Sequence, residues 1–166
     1  LSIARHDEEL PPPGGVLDLD DIVLTEARRP RRVDVDVSGV SGGRVRGHAD
    51  DLTRVVTHLL DNAARHADDQ VVVRLESDQL RNGVESVVLT VDDDGPGVPA
   101  DQRERVFERF VRLDEARDRD QGGAGLGLAV VASVVQASGG AVSAGDSPLG
   151  GARFEVVLPA ASGRRR

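Results

Sequence analysis

The sequence predicts a single α/β domain, and three observations predict it. A helical apolar period runs through the longest patterned segment; two β-branched runs flank a turn-like Arg81-Asn82-Gly83; and two more short strands follow a helix near the C-terminus. With 166 residues, 39% of them apolar, the chain has material for one sizeable core.

Taken in order, Leu1 to Leu10 reads as the end of a helix, which Pro11, Pro12, Pro13, Gly14 and Gly15 interrupt. Residues 1–15 are therefore assigned to a linker region ahead of a domain spanning 16–160. Leu17 to Arg29 carries Leu19, Ile22, Val23 and Ala27 at helical spacing. Val33, Val35 and Val37 alternate with acids and predict a strand; the turn Ser41 to Gly43 then predicts that Arg44 to Arg46 pairs back as a hairpin. From Ala49 to His66 the residues Leu52, Val55, Val56, Leu59, Leu60 and Ala63 share one helix face. His58, Asn62, Arg65 and His66 lie on its flank, where a cleft floor would be. Val71–Leu75 and Val87–Val91 predict an antiparallel pair, the second strand running into Asp92-Asp93-Asp94-Gly95. A short helix is expected at Asp101 to Phe107, a mobile charged loop from Glu108 to Gln121, then a glycine cluster. Gly127 to Ser138 is helical, with Leu128, Val131, Val134 and Val135 inward and Gly139-Gly140 ending it. Strands Ala141–Ala144 and Arg153–Leu158 flank a turn at Ser147 to Gly151, and 161–166 form a disordered tail. There is no internal repeat.

Composition excludes several classes. Twenty-one basic against 29 acidic residues leave a net charge of -8, so nucleic-acid binding is not expected. The chain has no cysteine for a disulfide or thiolate zinc site, and no segment long and apolar enough for a membrane span. Every basic residue is arginine. A P-loop, or a kinase that pairs phosphates with lysine, is therefore excluded; bound phosphates would need backbone amides, metal and arginine.

Three motifs carry chemistry. Asp93-Asp94-Gly95-Pro96-Gly97 stands at a strand end, where Gly95 and Gly97 allow close backbone approach and Asp93 directs a carboxylate into the space above the sheet. That carboxylate accepts from adenine's exocyclic amine, whereas guanine offers an acceptor oxygen there and is rejected by about 1–3 kcal/mol or more. Gly122-Gly123-Ala124-Gly125-Leu126-Gly127-Leu128 precedes a helix, where free amides and the dipole suit phosphate. Its spacing is not the dinucleotide fingerprint, whose third glycine would fall on Leu128. Asn62 offers a hard amide oxygen that, with a triphosphate, suits Mg²⁺. Alone, the first reads more simply as an acidic turn and Asn62 as a solvated asparagine, and the glycine cluster reads as readily as a flexible segment. A zinc face at His58, Asn62 and His66 lacks the ligands to complete it.

In combination the motifs are specific. The chain resembles the HATPase domain of sensor histidine kinases, within the gyrase, Hsp90, histidine kinase and MutL superfamily. His58-Leu59-Leu60-Asp61-Asn62-Ala63-Ala64-Arg65-His66 is similar to the N box, Asp93-Asp94-Gly95-Pro96-Gly97 to the G1 box and Phe107-Glu108-Arg109-Phe110 to the F box. Gly123-Ala124-Gly125-Leu126-Gly127-Leu128 is similar to the G2 box, and Gly150-Gly151-Ala152-Arg153-Phe154 to the closing glycine turn. The resemblance covers Val33 to Pro159.

It implies a two-layer sandwich of Bergerat type: a mixed, mostly antiparallel sheet on about three helices, with ATP under a flexible lid. It implies that Asn62 holds Mg²⁺, that Asp93 reads adenine, and that the amides near Gly125 and Gly127 meet the phosphates. The bound nucleotide would further touch His66, Gly95, Gly97, Gly123, Leu126 and Leu128. Arg65, Arg112 and Arg117 would reach the phosphates, and Phe107 and Phe110 would anchor the lid. The γ-phosphoryl would pass to a histidine on a separate dimerisation and phosphotransfer hairpin, whose last helix ends within 1–15. His6 is not the expected acceptor, because its helix breaks into prolines. The isolated chain is expected to be monomeric. The full kinase would be a homodimer anchored in the inner membrane, with this domain in the cytoplasm and a response regulator downstream. Two departures stand out: His58 replaces the usual Asn or Glu, removing a base for water activation, and Ala124 replaces a frequent Thr hydroxyl. Alternatives of different class are a catalytically silent, nucleotide-gated interaction module and a serine kinase of the anti-sigma type.

Overall fold

Alternating β-branched segments build a five-stranded sheet in the computed structural model, which describes residues 14–81, 83–108 and 126–161. In spatial order the strands are β2 (Val35–Val40), β4 (Val71–Arg81), β5 (Val84–Asp93), β7 (Ala152–Pro159) and β6 (Ala141–Asp146). β2 runs parallel to β4 and the other pairs are antiparallel, as a mixed, mostly antiparallel sheet requires. One face carries three helices: α1 (Leu19–Ala27), α2 (Ala49–His66) and α3 (Gly127–Ala137), with α2 packed against both of the others. This is the two-layer sandwich the sequence predicts.

Period-two alternation sorts the strand residues. Val71, Val73 and Leu75 of β4, Val87, Leu89 and Val91 of β5, and Phe154, Val156 and Leu158 of β7 are buried in one core with Leu52, Val55, Val56, Leu59, Leu60 and Ala63 of α2. The α2 period is therefore the seam between the layers. Acidic Asp50 and Asp51 in its first turn and basic Arg65 and His66 in its last complement the helix dipole. Beyond α2, Arg32 donates to the carbonyls of Ala64 (2.9 Å) and Ala67, satisfying acceptors that the helix leaves open.

Two expectations are corrected. Arg44–Arg46 does not pair back on the preceding strand: β3 (Arg44–Gly47) pairs antiparallel with β1 (Gly15–Asp18), residues expected to be linker and helix start. The cause lies at residue 41, where the Ser41 N–H and hydroxyl both donate to the Leu75 carbonyl (2.9 and 2.6 Å) and hold the chain at the sheet edge before it turns away. The Leu19 N–H then donates to the Gly43 carbonyl (2.8 Å), closing β1 onto β3. Second, the helix expected at 101–107 is two separate single turns of 3-10 helix, Ala100–Gln102 and Arg105–Phe107. Only Val106 is buried there, so no apolar stripe supports a continuous helix.

His6, most of the linker, the loop expected after Glu108, Phe110, Arg112, Arg117, Gly122, Gly123, Ala124, Gly125 and the tail after Ala161 lie outside the described residues. Among the described residues, no helix is long and apolar enough to cross a membrane.

Candidate functional site

Asp93 is the last residue of β5 and continues the inward series Val87, Leu89, Val91, so the strand aims its carboxylate at the helical layer. It is 1% exposed. Oδ1 accepts hydrogen bonds from the N–H of Gly95 (2.9 Å) and the N–H of Ala152 (3.1 Å). Oδ2 accepts none among the described residues, and because no fully enclosed side-chain oxygen lacks a partner, Oδ2 is not completely enclosed. Burial pushes the Asp93 carboxyl above its ordinary value; the two amides oppose this, and the neighbouring charges of Asp94 and Asp92 reinforce it.

Backbone packs tightly around this carboxylate. A Cβ on Gly151 would sit 2.3 Å from Asp93 Oδ1 and 2.5 Å from the Gly95 nitrogen, and a Cβ on Gly95 would sit 2.1 Å from the His66 carbonyl oxygen. Only glycine fits either place. Gly97 has φ +83 and faces Gly151, closing the turn after β5. Asp94 points elsewhere: its carboxylate accepts the N–H groups of Asp68 (2.8 Å), Asp69 (3.0 Å) and Gln70 (3.1 Å). Those amides hold its carboxyl below the ordinary value and fasten the end of α2 to the tip of β5.

Along α2, His58, Asn62 and His66 are spaced one turn apart and half-buried, on the flank the sequence predicts. At one end of this row a Cβ on Gly127 would lie 3.1 Å from His58 Nδ1, so the start of α3 abuts His58. At the other end Gly95 abuts His66. Asn62 lies midway between these contacts, which are separated by about 12 Å of helix. Among the described residues, the start of α3 has neither a side-chain cap nor an acidic residue in its first turn, a disposition that suits an anion. Leu126 is exposed there, while Gly127 and Leu128 are half-buried. Arg65 is exposed and lines an open recess of about 680 Å³ with Arg31, Arg32, Asp61 and Asp68, on the α1 side of α2. Phe107 packs edge-on against buried Phe154, ring centroids 6.0 Å apart at 89°, anchoring the segment that follows β5.

The structure thus gathers Asn62, His66, Asp93, Gly95, Gly97 and residues 126–128 around one flank of α2, with Arg65 on its outer side. Sequence reasoning missed the Ala152 amide and the close approach of Gly151. The signal was the pair Gly150-Gly151 directly before an alternating strand.

This arrangement has known counterparts. A family model described as histidine kinase-, DNA gyrase B-, and HSP90-like ATPase matches residues 47–162. The chain belongs to this ATPase family. The match begins at Gly47, so β1, α1 and β2 precede the part that the family model describes. The ATPase-family chain is 42% identical over 113 residues to the sensor histidine kinase CpxA of Escherichia coli K12, covering 68% of this chain and 24% of that protein. It therefore spans about a quarter of the length of the curated relatives it matches. Among solved structures it is similar to the mycobacterial sensor histidine kinase MprB, with a TM-score of 0.74 and 32% identity, covering 89% of this chain and 97% of the other. It is also similar to the ATP binding domain of PrrB from Mycobacterium tuberculosis, with a TM-score of 0.71 and 31% identity, over 89% and 98% of the two chains. The structural matches thus cover more of the chain than the family match does.

Proposed function

We propose that this chain is the catalytic, ATP-binding domain of a two-component sensor histidine kinase. The reading is carried by one observation: Asp93 is buried on the helix-facing side of the sheet, with one oxygen saturated by backbone amides and the other without a hydrogen-bond partner among the described residues. An ionised oxygen held in that way accepts from the exocyclic amine of adenine and opposes the carbonyl oxygen of guanine. The glycines at 95 and 151 leave no side chain between the base and the strand tip. Mg²⁺ fits the same site through the Asn62 amide oxygen, with the phosphates as its other ligands; it would neutralise charge on the transferred phosphoryl.

In this reading the purine lies at the His66 end of the α2 flank and the phosphates at the His58 end, where the uncapped start of α3 supplies N–H donors. Gly123 and Gly125 extend that donor set, while Arg65, Arg112 and Arg117 contact the phosphates from solvent and lid. The acceptor is a histidine on a separate hairpin domain. The parent kinase is a membrane-anchored homodimer with this domain in the cytoplasm, passing the phosphoryl to a response regulator. The names of the relatives and the absence of a carboxylate at His58, which leaves no base to activate water, support transfer over hydrolysis.

Joining the parent's hairpin domain to this chain and incubating it with γ-labelled ATP and Mg²⁺ tests the reading. Acid-labile, alkali-stable phosphohistidine is expected. ATP binding without any transfer would favour an interaction module instead, and acid-stable phosphoserine on a partner would favour a serine kinase.

A further inference from the structure

Three consecutive carboxylates stand at the tip of β5, Asp92 and Asp93 as its last two residues and Asp94 just beyond, and the middle one must stay charged and fixed to read a base. Asp94 is held by the amides of residues 68–70. Asp92 is held from the opposite face of the sheet. Strand alternation points it away from the helices, where it is nonetheless 0% exposed. Arg153 grips it at two points, Nε to Oδ1 at 2.8 Å and Nη2 to Oδ2 at 2.9 Å, and Arg74 Nη1 lies 3.4 Å from Oδ2. Two parallel bonds of this kind fix direction as well as distance.

Asp92 and Arg153 are also direct cross-strand partners of β5 and β7. The residue before Arg153 is Ala152, whose N–H donates to Asp93 Oδ1, and the residue before that is Gly151, in contact with the same oxygen. The ion pair on the outer face and the amide bond on the inner face therefore pin the same step of the same strand pair. A shift of β7 at residue 153 would carry the Ala152 amide off Asp93, leaving the carboxylate oriented by the Gly95 amide alone.

We propose that Arg153, on the sheet face away from the nucleotide, is a positioning residue for adenine recognition: its two-point hold on Asp92 places the Ala152 amide and thereby directs the free oxygen of Asp93. The proposal rests on the reading of Asp93 as the group that contacts the base. It concerns specificity, since Arg153 lies on the face opposite the site.

The test compares Mg-ATP with the triphosphate of purine riboside, which lacks the exocyclic amine, by calorimetric titration of the 166-residue chain and its Arg153→Gln and Arg153→Lys variants. Melting temperatures are recorded alongside. In the wild type ATP binds more tightly than the analogue. In Arg153→Gln the ATP affinity falls about tenfold, the weight of one well-aligned hydrogen bond, while the analogue's affinity stays, so the preference collapses. Arg153→Lys keeps the charge without the two-point geometry; it folds and shows an intermediate preference. A residue with a merely structural role would lower the melting temperature and weaken both ligands equally, and that outcome overturns the proposal. Unchanged preference in both variants overturns it as well. A wild type without preference defeats the reading of Asp93 itself, which separates the two failures.

Discussion

Replacing Asp93 by Asn removes one charge and converts one oxygen into a donor while preserving shape. In the folded chain Oδ1 accepts from Gly95 and Ala152 at 2.9 and 3.1 Å, and the Asn oxygen takes over both bonds. The amide NH2 then necessarily occupies the place of Oδ2, so adenine's amine meets a donor where it needs an acceptor. The loss combines a hydrogen bond to a charged group, about 1.5–3 kcal/mol, with about 1–3 kcal/mol for donors left unpaired in a closed site. Together these correspond to an affinity loss of roughly 100-fold or more. The fold responds differently. Because burial raises the Asp93 carboxyl, deleting its charge relieves desolvation while weakening two amide bonds, and the two changes offset. Calorimetric titration with Mg-ATP reads the first effect, and thermal melting, shifted by no more than about 2–4 °C, reads the second. Unchanged ATP affinity in a folded variant refutes the assignment of Asp93.

Three further perturbations have definite outcomes. Gly151→Ala places a methyl 2.3 Å from Asp93 Oδ1 and displaces the carboxylate; nucleotide affinity falls below detection in titration, and overpacking costs about 1–3 kcal/mol in denaturant unfolding. Leu59→Ala, at a residue 0% exposed between the layers, costs about 2–5 kcal/mol by the same measurement. Asp94→Asn removes a group whose folded carboxyl lies below its ordinary value of 3.8, so its stabilisation is fully present above that value and lost as pH falls through the lower folded value. The stability gap between wild type and Asp94→Asn, measured by urea unfolding, is therefore present at neutral pH and closes below pH 3.8.

Much of the site was legible because strong periodicities point its residues. The apolar face of α2 fixes which flank Asn62 and His66 occupy, and the inward series 87, 89, 91 extends by simple alternation to Asp93. The glycine cluster in the sequence announces the start of α3 at Gly127. Features built from backbone groups were not legible. The donor to Asp93 is the Ala152 amide, and no side chain at 152 signals it. The pairing of Gly15–Asp18 with Arg44–Gly47 joins two four-residue strands far apart in sequence, neither with enough alternation to announce a partner. The single 3-10 turns at 100–107 share composition with a short helix and differ only in how little they bury. Asp94, read as part of one acidic motif with Asp93, turns out to staple the end of α2 rather than face the site.

In the proposed reading, the second oxygen of Asp93 selects adenine in a site bounded by α2 and the start of α3. Titrating the chain with Mg-ATP and Mg-GTP side by side in a calorimeter tests it most directly. Saturable binding of ATP with GTP weaker by about tenfold or more is predicted, from an acceptor facing an acceptor in the guanine complex. Equal affinity for the two nucleotides, or heat from neither, contradicts it.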